Sequence, residues 1–454
     1  MKPNILFLTI DSLRSDRFYG EKKSAYTPNF DKLVQNGTLF TNTYSSIPST
    51  KRATSCILTS LHPFKTGNSD DNFLKIPSSI QNHLSTLKKN NYHVFATIPE
   101  ILSSIGLFSE IENPDETYDN FHGRLSNKLD DKILQTLKKF KSNTPWIYYI
   151  HLLDLIKPTI SDDKFNQPKF GNDQYDRIIS NIDHLIGKLL DEIDLDNTVI
   201  IITADHSAYL PKFNYGKKDF SFESSSTLRF IWKLGLKTPS TLQFFWSKLY
   251  NYYKIKSFKK ITREINYDVL STYDKRLFLN LIGHTRDIHD DNLVIPFLMS
   301  GYASKHLISD FSIRQIDIFP TIFEIIGINL FQNIDGISLN PILNGKNFKS
   351  SVCYFENLPT KENNWKKIIG IKYNEYKFSR EKEDCTKIQL YDLKQDPLEE
   401  KNIVSDEPEL VSKMEKILEN ILENADSQQT IFDSSFNELE RKKVEDELRK
   451  LGYL

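Results

Sequence analysis

Five short, unbroken apolar runs constrain this chain more than any other feature. They occupy residues 5–10, 94–98, 146–153, 198–203 and 294–299, and each is bounded by polar or turn residues. A strand with one wet face alternates apolar and polar side chains, whereas a strand covered on both faces has no reason to. The runs therefore read as buried strands. Amphipathic stretches at residues 28–36, 78–90, 128–139 and 175–192 have the spacing of helices that bury one face. Strands alternating with helices predict an α/β sheet, mostly parallel, with helices on both faces.

A chain of 454 residues with 39% hydrophobic and 26% charged side chains buries such a core without covalent staples. Its cysteines, Cys56, Cys353 and Cys385, are odd in number and far apart. That excludes a disulfide framework and a cysteine-rich zinc module. With 59 basic against 60 acidic residues, the overall charge gives no argument for nucleic acid or an anionic membrane as partner. The apolar run behind Met1-Lys2-Pro3-Asn4 is too short for a secretory core, and no stretch nears the roughly 20 residues of a membrane span. The expectation is a soluble, cytoplasmic protein with reduced thiols.

Residues 208–282 interrupt the rhythm. Phe244, Phe245, Trp246, Tyr250, Tyr252 and Tyr253 crowd one stretch, and the segment holds about nine more basic than acidic side chains. It reads as an insertion forming a small helical subdomain, with contact to substrate or a membrane surface as the other reading. Further on, a helix over 317–326, a loop at Asp335-Gly336 and a strand-rich run over 351–393 predict a small antiparallel α+β addition. The expected division is a catalytic domain over 1–345, a strand-rich subdomain over 346–405 and a charged tail over 406–454 with two surface helices.

Three places carry chemistry. Asp11 directly follows the first apolar run, where α/β sheets gather ligands at the carboxyl ends of their strands. Taken alone it reads equally as a helix cap, and Arg14 and Asp16 beyond it as structural. Asp205-His206 stand after another run, and a carboxylate beside an imidazole suits a divalent cation of intermediate hardness. Between these, residues 46–60 set several hydroxyls and the cations Lys51 and Arg52 before a helical stretch. A hydroxyl at a helix start gains from the dipole and the free N–H groups, and a bound cation lowers its pKa. Lys51 and Arg52 would neutralise an oxyanion. The same segment also reads as an N-cap.

The residues in order resemble the sulfatase branch of the alkaline phosphatase superfamily. The likeness runs through "NILFLTIDSLRSDRFYG", "TPNFDKL", "PSTKRATSCILTSLHPFKTG", "NTVIIITADHS", "GHTRDIHDDNLVIPFLMSG", "DGISLNPIL" and "LYDLKQDPLEEKNIV". It implies an alkaline-phosphatase-like mixed, mostly parallel sheet sandwiched by helices, and one divalent cation (Mn, Mg, Ca or Zn) held by Asp11, Asp205, His206 and the nucleophile. It puts Thr50 at the nucleophile position, with Ser49 as the alternative. His284 matches a histidine that contacts the ester or leaving group, and Arg286 assists the anion. His151 and Asp154 stand in "HLLDLIKP", similar to the family's "HxxDxHxP".

Departures from that pattern bear on the substrate. Sulfatases carry Cys or Ser at the nucleophile position and oxidise it to formylglycine, which threonine cannot form. Ser12 replaces the second acid of the opening motif, and Ile156 replaces the later histidine. Asp11, Thr50, Asp205 and His206 are similar to the single-metal site of phosphoethanolamine and phosphoglycerol transferases. The resemblance therefore implies a metal-dependent hydrolase or transferase cleaving a phosphate ester or phosphodiester through Thr50. Sulfate-ester hydrolysis without formylglycine and glycan binding without turnover are the alternatives. The implied partner is an anionic ester, such as a glycan or lipid-linked glycan. His83, His93 and His122 lie outside these motifs and read as ordinary surface or core residues, and His289 as a local cap or pair.

Overall fold

The computed structural model describes residues 2–426, except 68–74, 121–122, 141–143, 157–163, 211, 217, 222–224, 239–241, 282–286, 330–332, 347, 349 and 360–365. In chain order come β1 (Asn4–Ile10), β2 (Thr38–Tyr44), β3 (His93–Pro99), β4 (Thr117–Tyr118), β5 (Trp146–Leu152) and β6 (Thr198–Thr203). A hairpin, β7 (Lys212–Tyr215) and β8 (Lys218–Ser221), opens the insertion, which continues through helices Ser226–Leu236, Gln243–Thr262 and Thr272–Asn280. The insertion is therefore helical with a two-stranded start. β9 (Val294–Gly301), β10 (Leu307–Ser309) and β11 (Ile313–Arg314) return to the main sheet.

The main sheet runs β10-β2-β9-β6-β1-β5-β3-β4, with β11 also against β2. β1 pairs in parallel with both β5 and β6, and β3 in parallel with β5. Among the described strands of this sheet only β9 runs antiparallel, against β6 and β2. The sheet is thus mixed and mostly parallel.

The apolar runs are continuous because both faces are buried. Ile5 and Phe7 of β1 belong to one core layer with Phe319, Phe323, Ile57 and Leu58. Leu6, Leu8 and Ile10 belong to the opposite layer with Leu33, Ile182 and Leu185. Helices therefore sandwich the sheet, Thr50–Thr59 and Ile318–Ile325 on the first face and Pro28–Gln35 and Gln174–Leu190 on the second.

A second sheet, β12 (Cys353–Glu356), β13 (Ile368–Tyr373), β14 (Tyr376–Glu381) and β15 (Ile388–Asp392), is antiparallel throughout. Met414 and Leu418 of the Pro408–Asp426 helix bury themselves among its apolar side chains. The first of the two expected tail helices is that one, and residues 427–454 lie outside the described ones. Cys56 and Cys353 are buried free thiols and Cys385 an exposed one. Among the described residues no helix is long and apolar enough to cross a membrane.

His83 is a core histidine. It is fully buried, stacks on Phe319 at 4.7 Å between ring centres, and has Nε2 2.8 Å from Ser60 Oγ. Burial pushes its imidazole down from 6.5 to about 3. As pH falls below 6.5, the unfolded chain takes up a proton that the native ring refuses, so stability drops until the native pKa is reached. The slope is at most about 1.4 kcal/mol per pH unit. Urea unfolding at pH 7 and at about pH 5 is expected to show the wild type losing about 2 kcal/mol more than His83→Gln between the two conditions.

Candidate active site

Strand register builds the centre of the site. Thr9 of β1 lies level with His151 of β5 on one side and Thr203 of β6 on the other. Side chains two residues apart on a strand share a face. Asp11, two beyond Thr9, and Asp205, two beyond Thr203, therefore emerge at the same edge and face as His151. One ligand atom from each of the three lies within 4.8 Å of the others, and all three residues are fully buried.

The backbone around the acids is tightly held. Ser12 takes a left-handed conformation, φ 64°, that turns the chain sharply after Asp11. Its hydroxyl donates to Asp11 Oδ1 at 2.7 Å and its N–H to Asp205 Oδ1 at 3.4 Å. Tyr175 donates its hydroxyl to Ser12 O at 2.7 Å and accepts from Arg14 N at 2.8 Å. The carbonyl of Asp205 accepts from Ser45 Oγ at 2.7 Å and from Gln315 Nε2.

Thr50 enters from the first face of the sheet. It is the first residue of the Thr50–Thr59 helix, which Ser49 precedes as N-cap without a side-chain capping bond. Its hydroxyl donates to Asp11 Oδ2 at 2.9 Å and lies 3.5 Å from His206 Nε2. His206 Nδ1 is 2.8 Å from the Ser207 carbonyl, which only accepts. The Nδ1 therefore carries a proton, and Nε2 faces Thr50 and Asp205. The distance from Nε2 to Asp205 Oδ2 is 3.7 Å.

The electrostatics call for a cation. Burial pushes the Asp205 carboxyl up, and the negative charge of Asp11 adds to the effect. Burial works the same way on Asp11, but His151, His206 and the Ser12 hydroxyl outweigh it and hold that carboxyl below its ordinary range. His151 Nε2 stands 3.8 Å from Asp11 Oδ2 and 4.0 Å from Asp205 Oδ2, too far for hydrogen bonds. Both His151 Nε2 and Asp205 Oδ2 are buried without a hydrogen-bond partner. Orphaned buried donors and acceptors are costly. These spacings match donor atoms on either side of a divalent ion with bonds of about 2.0–2.5 Å. The donors present fit such an ion.

Four of the residues picked from the sequence therefore converge: Asp11, Thr50, Asp205 and His206. Lys51 and Arg52 follow Thr50 in the first helical turn and are buried, 6% and 1% exposed. His284 and Arg286 lie outside the described residues, as does His122. His151 was missing from the expected ligand set, although it stands in "HLLDLIKP", because it lies inside an apolar run. Asp154 of that motif turns away, accepting the Leu125 N–H at 2.9 Å. His93 is exposed and pairs with Glu112, and His289 pairs locally with Asp287. Arg14 binds Asp16 and Asp291, each at 2.8 Å. Together with Arg17, Lys212 and Tyr273 these residues line a cleft of about 290 Å³ between the loop after β1 and the insertion.

Comparison with known proteins agrees with this architecture. The family model described as Sulfatase matches residues 3–328, and that of the N-sulphoglucosamine sulphohydrolase C-terminal region matches residues 281–428. An uncharacterized protein of Haemophilus influenzae is 27% identical over 246 residues, 51% of this chain and 37% of that protein. Arylsulfatase K of Xenopus laevis is 33% identical over 119 residues, 24% of this chain and 22% of its own. The chain thus spans well under half the length of these curated relatives in its matches. A protein solved with its substrate D-glucosamine-2-N,6-O-disulfate superimposes with a TM-score of 0.64 at 16% identity, covering 94% of this chain and 99% of the other. The phosphonate monoester hydrolase of Agrobacterium radiobacter gives 0.65 at 14% identity, covering 93% and 96%. With the Sulfatase match spanning most of its length, the chain belongs to the sulfatase family of the alkaline-phosphatase-like superfamily.

Proposed function

We propose that the protein is a metal-dependent ester hydrolase or transferase that cleaves a phosphate ester or phosphodiester with Thr50 as nucleophile. The observation that carries this reading is the Thr50 hydroxyl, 2.9 Å from Asp11 Oδ2 at a helix start beside two orphaned donor atoms. Asp11, Asp205, His206, His151 and Thr50 are the residues that would hold the ion. When bound, a divalent cation supplies Lewis-acid polarisation and a lowered pKa for the alcohol.

The chain's own groups supply the rest. Asp11 Oδ2 orients the Thr50 hydroxyl, and burial of both keeps bulk water from competing for that bond. The Thr50 oxygen attacks phosphorus, its proton passes along the hydrogen bond to Asp11 Oδ2, the bond from phosphorus to the ester oxygen breaks, and a phospho-threonine results. The positive end of the Thr50–Thr59 helix dipole favours the charge developing beside it. Lys51 and Arg52 add positive charge in the same turn. His284, which the family resemblance sets against the ester or leaving group, would protonate the departing alcohol, and Arg286 would assist the anion. Water or an acceptor alcohol then takes the phosphoryl group from Thr50.

A second reading is hydrolysis of a sulfuric ester. The match to the Sulfatase family and the disulfated glucosamine bound by one structural neighbour favour it. The phosphonate monoester hydrolase, with equal structural likeness, favours phosphorus chemistry. An anionic glycan or lipid-linked glycan fits either reading as substrate, with Lys212 and Tyr273 of the insertion in the nearby cleft as its candidate contacts.

Assays of wild type and Thr50→Ala against p-nitrophenyl sulfate, a phosphate monoester and a phosphodiester, each with Mg²⁺, Mn²⁺, Ca²⁺ or Zn²⁺, discriminate the readings. Turnover of the phosphodiester is expected, with a loss of about a thousandfold or more in Thr50→Ala. Mass spectrometry of rapidly quenched wild type is expected to find a phosphoryl group on Thr50. Undiminished turnover by Thr50→Ala sinks the proposal, and activity confined to the sulfate ester replaces it with the second reading.

Metal analysis gives a separate check. One divalent ion per chain is expected after dialysis against trace metal, and chelation is expected to abolish turnover reversibly. His151→Ala is expected to weaken ion binding by about tenfold or more, measured by competition with a fluorescent chelator. Unchanged affinity in both His151→Ala and Asp205→Ala would place the ion elsewhere.

A further inference from the structure

The Gln243–Thr262 helix of the insertion has an unusual outward face. It carries Lys248, Lys256, Lys259 and Lys260, and the helix has no acidic residue. Its inward side is accounted for, since Tyr250 packs in the insertion's own core with Trp246, Leu249, Tyr253, Phe258 and Ile261 against it. The side left in solvent is not the polar face this should leave. Phe245 is 57% exposed, Tyr252 60% and Ile255 47%. Lys248, Lys256 and Lys259 are exposed among them.

Positions 245, 248, 252, 255 and 259 follow helical i+3/i+4 spacing, so they form one stripe rather than a scatter. Ile255, Phe258, Lys259, Thr262 and Arg263 line an open depression of about 550 Å³ at its C-terminal end. On the neighbouring Ser226–Leu236 helix, Phe230 is 62% exposed, with Lys233 exposed one turn on. Single exposed apolar side chains are ordinary, whereas a row of them interleaved with cations marks a contact surface.

From this arrangement we infer that the outward face of the Gln243–Thr262 helix rests on an anionic lipid surface. Exposed phenylalanine and isoleucine gain free energy in the acyl boundary of a bilayer, and the lysines pair with lipid phosphates and carboxylates. A soluble polyanionic sugar would satisfy the lysines but offer nothing to Phe245 and Ile255. A second copy of this face would set like charges against each other. The inference is independent of the reaction catalysed, and its test reads binding without substrate.

The full chain is floated with phosphatidylcholine vesicles and with vesicles containing about 30% phosphatidylserine, at low and at roughly 0.5 M salt. Binding is expected to the serine-lipid vesicles at low salt, and to fall by about thirtyfold or more on phosphatidylcholine alone or at high salt. A Lys248→Glu, Lys256→Glu, Lys259→Glu variant is expected to lose binding to the same extent with an unchanged melting temperature. Phe245→Ser with Ile255→Ser is expected to weaken it with the lysines intact. Equal flotation with both vesicle types, or none with either, overturns the inference, as does retention on soluble heparin without flotation. The wild-type comparison needs no variant to fold.

Discussion

Two carboxylates without any exposure, Asp11 and Asp205, meet at the ends of adjacent parallel strands. Burial raises the Asp205 pKa, and the negative charge of Asp11 raises it further. A protein tolerates such a pair where positive charge is supplied at the same point. His151 lies nearly equidistant from the two, and His206 turns its Nε2 toward Thr50 and Asp205. Much of the surrounding structure serves to fix these few atoms. The left-handed Ser12 turns the chain, Tyr175 clamps it, and Ser45 and Gln315 hold the Asp205 carbonyl.

The same charge gives the Thr50 hydroxyl its direction. At the first position of a helix the residue has no preceding turn to lean on, and its side chain is placed by what it touches. Here it touches Asp11 on one side and His206 on the other. Threonine is branched at Cβ, so its methyl group restricts χ1 and the hydroxyl samples few directions. Ser49, one residue earlier, is extended at φ −155° and lies outside the helix. The two hydroxyls are therefore not equivalent, although they are neighbours in the chain.

The sheet was legible because its central strands are buried on both faces, which leaves an unmistakable apolar run. β2 was not, since Thr38, Thr41, Asn42 and Thr43 break the apolar pattern and its pairing with β9 shifts register midway. Asp11 and Asp205-His206 stood out because they end apolar runs. His151 did not, because it sits inside one, and an imidazole within a buried strand reads as a core residue. His83 shows why that reading is sensible, being a stacked core histidine. What separates the two is long-range register, the alignment of His151 with Thr9, which local pattern does not encode. Arg14 was likewise ambiguous, because Asp291, one of its partners, lies far along the chain.

Subdomain contacts converge on the same loop. Lys377 of β14 is buried between Asp290 at 2.6 Å and Glu399 at 2.8 Å, and Tyr44 of β2 donates to Asp290 at 2.8 Å. Arg276 of the insertion donates to the Glu399 carbonyl at 3.0 Å. The next residue along, Asp291, holds Arg14, three residues from Asp11. A buried ion network of this kind contributes little net stability but penalises any arrangement that breaks it. The small sheet, the insertion and the strand carrying the acid are thus held in one relation. That fixed relation sets Arg14 and Asp291 against Lys212 and Tyr273 of the insertion around one cleft.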